Sequence, residues 1–360
     1  MDVCRKILLP NSQIFVYLLF GISAYAMATL FKVNIRDFPF LEQIMYLAIA
    51  VGLYINVLSI QIKSFKIELR SILAGVILGV PIKIVLPGLA LAVLSPDNYK
   101  IAFLCSTVIA QIDPIIAAQS IQNTPIKLNK RSETILRAWS SFDDPVTVLF
   151  AFYIFLPISQ GIEINFIEYF VNRILLDFFI IAVIHQIYTR VYWNWRKRIK
   201  NTVVKVIDIT IISLVFIYGL LTSSFLAPAA IGLFIRPFSA KSAGNLISGI
   251  AFFSAIVIGA FAATSRIDWG AGIILAGAML VAHAIATHFL IKTSSVQDKL
   301  KLIFSHQNGM TAILLTVALE VSGKGLSNLL PITLPAIVLI ALFYLASNWI
   351  VDNLLTFTAS

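Results

Sequence analysis

Charge is what this chain has least of. Asp, Glu, Lys and Arg supply 12% of its 360 residues, hydrophobic types supply 59%, and mean hydropathy is +0.93. A soluble globular domain needs more charged surface than that, so the composition points to an integral membrane protein. At about 20 residues per span plus short loops, the length fits roughly a dozen crossings in one transmembrane domain over 1–360, with no soluble domain. Cysteine is equally scarce. Cys4 and Cys105 stand far apart, one near the terminus and one in an apolar run, so neither a disulfide framework nor a cysteine metal site is indicated. Met1 to Pro10 has too short an apolar stretch, and no small-residue cleavage site, for a signal peptide. The first helix is therefore expected to stay attached. No internal repeat, low-complexity segment or linker stands out.

What is present is a succession of apolar runs. Twelve spans are predicted: about 13–31, 39–60, 71–95, 101–120, 134–157, 166–189, 204–223, 225–238, 244–264, 269–291, 302–320 and 329–354, the eighth unusually short. The net charge of +10 would suggest nucleic acid in a soluble protein. Here the bases fall between spans and read as topology signals. With the N-terminus in the cytoplasm, the inward loops carry Arg5, Lys6, Lys63, Lys66, Arg70, Lys127, Lys130, Arg131, Arg196, Lys197, Arg198, Lys200, Arg236, Lys241, Lys292, Lys299 and Lys301. The outward loops carry only Lys32, Arg36, Lys100, Arg266 and Lys324. Both termini are therefore expected inside. Trp193 and Trp195, beside the basic run 196–200, are natural interfacial anchors.

Against that background the polar residues within spans are informative: Asn56, Lys83, Asp113, Arg137, Ser140, Asp143, Asp144, Arg173, Asp177, His283, His306, Gln307 and Asn308. Each needs a partner or a water-filled path. Asp143 and Asp144 sit together inside the run Ala138 to Leu156. Two neighbouring like charges cannot both ionise cheaply in low dielectric, and a cation arriving between them removes that cost. Ser140, four residues before Asp144, shares its face, whereas Asp143 is turned by about 100° towards the face of Trp139. Pro145 is expected to disturb the ladder and free the carbonyl of Ser141.

Two other spans carry breakers. In the fourth, Pro114 follows Asp113 and should free the carbonyl of Ala110 in mid-membrane. An unwound turn with a carboxylate offers the oxygen ligands that hard cations want, and discontinuous helices near the midplane are how transporters build such sites. A kink with Asp113 paired to a buried base is the plainer alternative. In the eleventh, Asn308-Gly309 should unwind the helix at the depth of Asp113, unless it only ends a shorter helix. Two broken helices, one in each half, point to an inverted-repeat transporter with its site where they cross. His283 is either a packing residue or, because its ordinary charge change falls near neutral pH, a group coupling transport to pH. Arg173 and Asp177, four apart, are expected to pair. Lys83, between Pro81 and Pro87, is placed to neutralise one acid of the site, without the sequence saying which.

With these residues in view, the chain resembles the monovalent cation/proton antiporter superfamily, the sodium/proton exchangers. Ile112-Asp113-Pro114 resembles the Thr-Asp-Pro of the first broken helix, and Ser140-Ser-Phe-Asp-Asp144 resembles Glu-Ser-x-x-Asn-Asp on the next. Weaker likenesses are Gly52-Leu-Tyr-Ile-Asn56 to Gly-Leu-Glu-Leu-Asp, and Asn308-Gly309 to an Arg-Gly of the second broken helix. They run in family order over nearly the whole chain. The resemblance implies an all-α fold of about 12 helices with two crossed discontinuous helices, and a homodimer whose core helices, about 101–157 and 269–320, move against a scaffold. It implies Asp144 as the principal carrier of cation or proton, with Asp113 and Ser140 in the same site and Asp144 and Asp113 as ligands of the transported metal ion. The departures are Asp143 in place of the Asn of electroneutral exchangers, Trp139 in place of the Glu before the Ser, and His283 where electrogenic relatives carry a Lys. Loss of the Glu together with its Arg partner, whose place is His283 or Asn308, removes a buried pair on both sides at once.

The function expected is exchange of a monovalent cation, Na⁺ first and K⁺ or Li⁺ as rivals, for protons by competition at Asp144, Asp143 and Asp113, with His283, Asn308, Asn56 and Lys83 as modulators. No cofactor, catalytic residue or nucleic-acid partner is expected. The protein should sit among lipids of the plasma or inner membrane. A sodium-coupled solute symporter of the same architecture is the nearer rival. An intramembrane aspartyl protease would need acids on two helices, which Asp113 and Asp144 supply, but its Gly-x-Gly-Asp is absent. No Gly-rich filter loop supports a channel.

Overall fold

The computed structural model describes residues 12–32, 38–58, 68–114, 117, 121, 128–161, 166–192, 201–238, 240–292, 295–323, 326 and 328–359. Cys4, Arg5, Lys6, Arg36, Lys63, Lys66, Lys127, Trp193, Trp195, the basic run 196–200 and Lys324 lie outside them, so the topology and anchor readings on those residues stay expectations. All regular structure among the described residues is helical. In chain order the helices are α1 (Ser12–Phe31), α2 (Leu41–Leu58), α3 (Leu69–Leu94), α4 (Tyr99–Ile109), α5 (Lys130–Ser159), α6 (Phe166–Gln186), α7 (Asn201–Thr222), α8 (Leu226–Ile231), α9 (Ala240–Thr264), α10 (Trp269–Leu290), α11 (Val296–Ile303), α12 (Met310–Ser322) and α13 (Leu329–Ala359).

Six stretches among the described residues are long and apolar enough to cross a bilayer: α2, α3, α5, Thr202–Thr222 of α7, α10 and Leu329–Val351 of α13. Shorter apolar stretches are Leu19–Phe31, Tyr99–Ile109, Ser248–Thr264 and Thr311–Ser322. The predicted run 225–238 contains only the six-residue α8, followed by turns. Large apolar side chains such as Leu30, Leu221 and Phe289 face outward. In hydrocarbon that is the stable direction, because the polar groups must be satisfied inside.

Small residues and prolines set how the helices approach. α1 lies along α9, where a Cβ on Gly21 would stand 3.1 Å from the Ala255 carbonyl oxygen and one on Gly259 would run into the Gly21 backbone. Such glycine contacts let two backbones meet without a hydrophobic driving force. Pro87 lies inside α3 and cannot bond the carbonyl four residues back, that of Lys83. Ser106 of α4 compensates: its hydroxyl donates to Ile84 O at 2.5 Å with Lys83 O at 3.2 Å. α5, in contrast, runs through Pro145 without a break. Thr147 there donates to the carbonyls of Asp143 and Asp144 at 3.0 and 2.9 Å. Beyond it α5 widens into a π turn at Phe150–Phe155, and α3 does the same at Gly75–Gly79. Ideal Cβ atoms on Gly75 and Gly79 would each be 3.3 Å from the Trp139 indole, so both glycines make room for that ring.

Candidate functional site

The two stretches carrying breakers are the ones that unwind. α4 stops at Ile109, and residues 111–113 are non-helical before Pro114. α11 stops at Ile303, and the chain stays irregular through Gly309 before α12 begins. Breaking a helix inside a bilayer strands backbone groups that must find partners. Here each break satisfies the other. The Asp113 N–H donates to Gln307 O at 2.9 Å. The Asn308 side-chain amide donates to Ile109 O at 2.7 Å and Gln111 O at 3.0 Å, and His306 Nε2 lies 3.1 Å from Ile109 O. The two interruptions therefore form one hydrogen-bonded crossing. Asn308, placed by sequence as a site modulator, works here as the clasp of that crossing.

The acids gather around it. Asp113, Asp143 and Asp144 are all buried, the last two essentially completely. Asp144 Oδ2 accepts from the Asn56 amide at 2.6 Å, which joins α2 to α5. The Thr311 hydroxyl of α12 lies beside the same carboxylate, and Asp113 and Asp143 stand near enough to repel it. Among the described residues Asp144 forms no ion pair, and its Oδ1 has no hydrogen-bond donor. Ser140 is fully buried on the preceding turn and donates to the Arg137 carbonyl at 3.1 Å, so its hydroxyl proton is engaged while its oxygen can still accept.

Asp143 has the opposite environment. Its carboxylate pairs with Lys83 of α3, and both side chains are fully buried. The Lys83 ammonium also stands 5.2 Å from the centre of the Trp139 ring, a cation–π distance. The sequence left open which acid Lys83 neutralises; the pair is with Asp143. His283, placed by the resemblance where electrogenic relatives carry a Lys, is therefore not the counter-group of Asp143. His283 is buried on α10 with Nε2 3.0 Å from Leu302 O, its ring stacked on Trp139 at 5.3 Å and tilted against His306 at 4.9 Å between ring centroids. It thus fills the end of the broken helix and forms no ion pair among the described residues.

A second correction concerns Arg173 and Asp177, which do not pair. Asp177 is fully buried and accepts from the hydroxyls of Tyr153, Ser224 and, at 2.8 Å, Tyr218. Arg173 donates to the Tyr169 hydroxyl at 2.9 Å and lies over the rings of Tyr153 and Tyr169. Sequence reasoning also missed Thr311 and the bridging part of His306. A hydroxyl two residues after Gly309, at the start of the helix beyond the break, was the available signal for Thr311.

By sequence, no family model and no curated protein matches the chain. Among solved structures it is similar to the sodium proton antiporter MjNhaP1 from Methanocaldococcus jannaschii. One structure of that protein, at pH 8, superposes with a TM-score of 0.59 at 13% identity, covering 98% of this chain and 97% of the other. A second, from electron microscopy, gives a TM-score of 0.64 at 15% identity, covering 98% and 93%. At such identities the likeness is one of fold, and it extends over nearly the whole of both chains: this chain has the fold of a sodium/proton antiporter.

Proposed function

We propose that the chain is a secondary active transporter, not an enzyme, which exchanges a monovalent cation for protons by alternating access. Asp144 carries the reading. It is a carboxylate 1% exposed, in no ion pair among the described residues, held by an amide at the crossing of two broken helices. A lone buried carboxylate is costly, and either a proton or a small cation relieves that cost. Competition for one carboxylate couples the two fluxes. The charged empty site resists crossing, and either loaded form is free to move. Full-length likeness in fold to a sodium proton antiporter supports the reading and makes Na⁺ the first cation to try, with K⁺ and Li⁺ beside it.

In this scheme Asp144 is the carrier, and Asp113 and Ser140 contribute oxygens to the same site. Asp143 is kept apart by Lys83, and Asn56, Asn308 and His283 shape the surroundings. The core helices, about 101–157 and 269–320, form the moving part of a twelve-span inverted repeat. The protein works without a cofactor as a homodimer in the cell membrane, both termini in the cytoplasm. Purified protein in proteoliposomes tests this. Cation-dependent proton flux is expected, and its reversal potential gives the stoichiometry. Absence of flux with Na⁺, Li⁺ and K⁺ alike sinks the assignment, and flux that requires an added organic solute assigns the symporter instead.

A further inference from the structure

Gly309 opens α12, yet its backbone does not call for glycine. Its φ of −109° and ψ of −161° are extended values that any residue adopts. What calls for glycine is space. A Cβ there would stand 2.6 Å from Asp113 Cβ and would overlap the Asp113 carboxylate itself. Among the other described glycines only Gly270 has a carboxylate facing its would-be Cβ, Asp268 Oδ1 at an ordinary 3.5 Å. Gly88 and Gly272, also tight, face the ring carbons of Phe103 and Pro335.

The contact has an electrostatic sense. The first amides of a helix carry partial positive charge and want an anion, normally supplied by an N-cap side chain. Glycine supplies none, and Asp113, carried in by the other broken helix, stands where that side chain would be. The same first turn carries Thr311 beside Asp144, so the placing of Asp113 and the surroundings of Asp144 are set by one turn of backbone.

We propose that Gly309 is a positioning residue of the ion site: its bare α carbon lets the Asp113 carboxylate seat on the N-terminus of α12, within reach of the cation held by Asp144. The proposal rests on the reading of Asp113 and Asp144 as the ion site. Any side chain at 309 pushes that carboxylate away and weakens cation binding, while the machinery that moves the core is left intact.

Gly309→Ala and Gly309→Ser test it in proteoliposomes with Na⁺, Li⁺ and K⁺. The expected result is an apparent KM for the cation raised by about tenfold or more, with the maximal rate at saturating cation within about threefold of wild type. A folded variant whose cation KM stays within about twofold overturns the proposal. Should Gly309→Ala lower thermal stability as well, the same change in an Asp113→Gly background decides the matter. Removing the carboxylate removes the collision, so the double variant should melt at or above Gly309→Ala and no lower than Asp113→Gly alone. If alanine costs as much stability in that background as in wild type, the glycine serves something other than Asp113, and the proposal falls. Wild-type protein without any cation-dependent flux counts against antiport itself, and the stability comparison still judges the pairing of 309 with 113.

Discussion

Asp177 and Asp144 are both carboxylates in the middle of apolar helices, and the protein treats them in opposite ways. Asp177 is surrounded by hydroxyls: Tyr153 from the π turn of α5, Tyr218 of α7 and Ser224 just before α8 all donate to it. Asp144 receives the Asn56 amide on one oxygen, and its other oxygen has no donor among the described residues. A buried acid whose lone pairs are filled by the protein ties helices together. One left partly unfilled has room for a mobile partner, the part the proposed function gives Asp144. Asp144 lies on the long helix α5 and Asp177 packs against it, so under the proposed function the contrast is a division of labour along α5: one end fastened to α6 and α7, the middle available for exchange.

The sharpest way to break the comparison is Asp144→Asn. Exchange should fall by about a hundredfold or more while thermal stability holds or rises, since a costly charge is removed and the fold does not depend on it. Undiminished cation-dependent proton flux in liposomes would remove Asp144 from the mechanism. Next comes Lys83→Met, which leaves Asp143 buried without its counter-charge and should cost about 3–5 kcal/mol in unfolding measurements on detergent-solubilised protein. Lys83→Met with Asp143→Leu should recover most of that loss, because both charges go together; failure to recover would mean Lys83 acts through something besides Asp143. Asp177→Asn should be milder, losing about 1–3 kcal/mol of stability with exchange per folded molecule within about threefold. A large loss of exchange in a stable Asp177→Asn protein would erase the division of labour. Smallest is His283→Gln, which should lower the melting temperature slightly and leave the pH profile of exchange in place, since His283 packs between two rings and forms no ion pair among the described residues. A shifted profile would return it to the site as a titrating group.

The two breaks were legible in the sequence because their causes are local. Pro114 cannot bond backwards, Asn308-Gly309 favours a turn, and neither effect needs a partner to be visible. Pro145 shows the limit of that logic: α5 continues through it, with Thr147 engaging the neighbouring carbonyls. The separation of Asp143 from Asp144 was also legible, since about 100° of helical rotation sends neighbours to different faces. What each then met was not. Lys83 lies 60 residues from Asp143, and no pattern in either segment names the other. Arg173 and Asp177 mark a place where a local rule gave the wrong partner. Four residues apart they were free to pair, but three hydroxyls reached Asp177 and tyrosine rings received the guanidinium.

By itself the sequence determined that this is a membrane protein of apolar helices, where two of them break, and which acids lie too deep to be incidental, because hydrophobicity and backbone chemistry act over a few residues. Only the tertiary structure decided which acid is neutralised by Lys83, which breaks satisfy each other's backbone, and which glycine makes room for a carboxylate. Those outcomes depend on contacts between segments far apart in the chain, and in a low-dielectric interior it is the nearest opposite charge or hydrogen-bond donor, wherever it comes from, that settles what a buried polar group does.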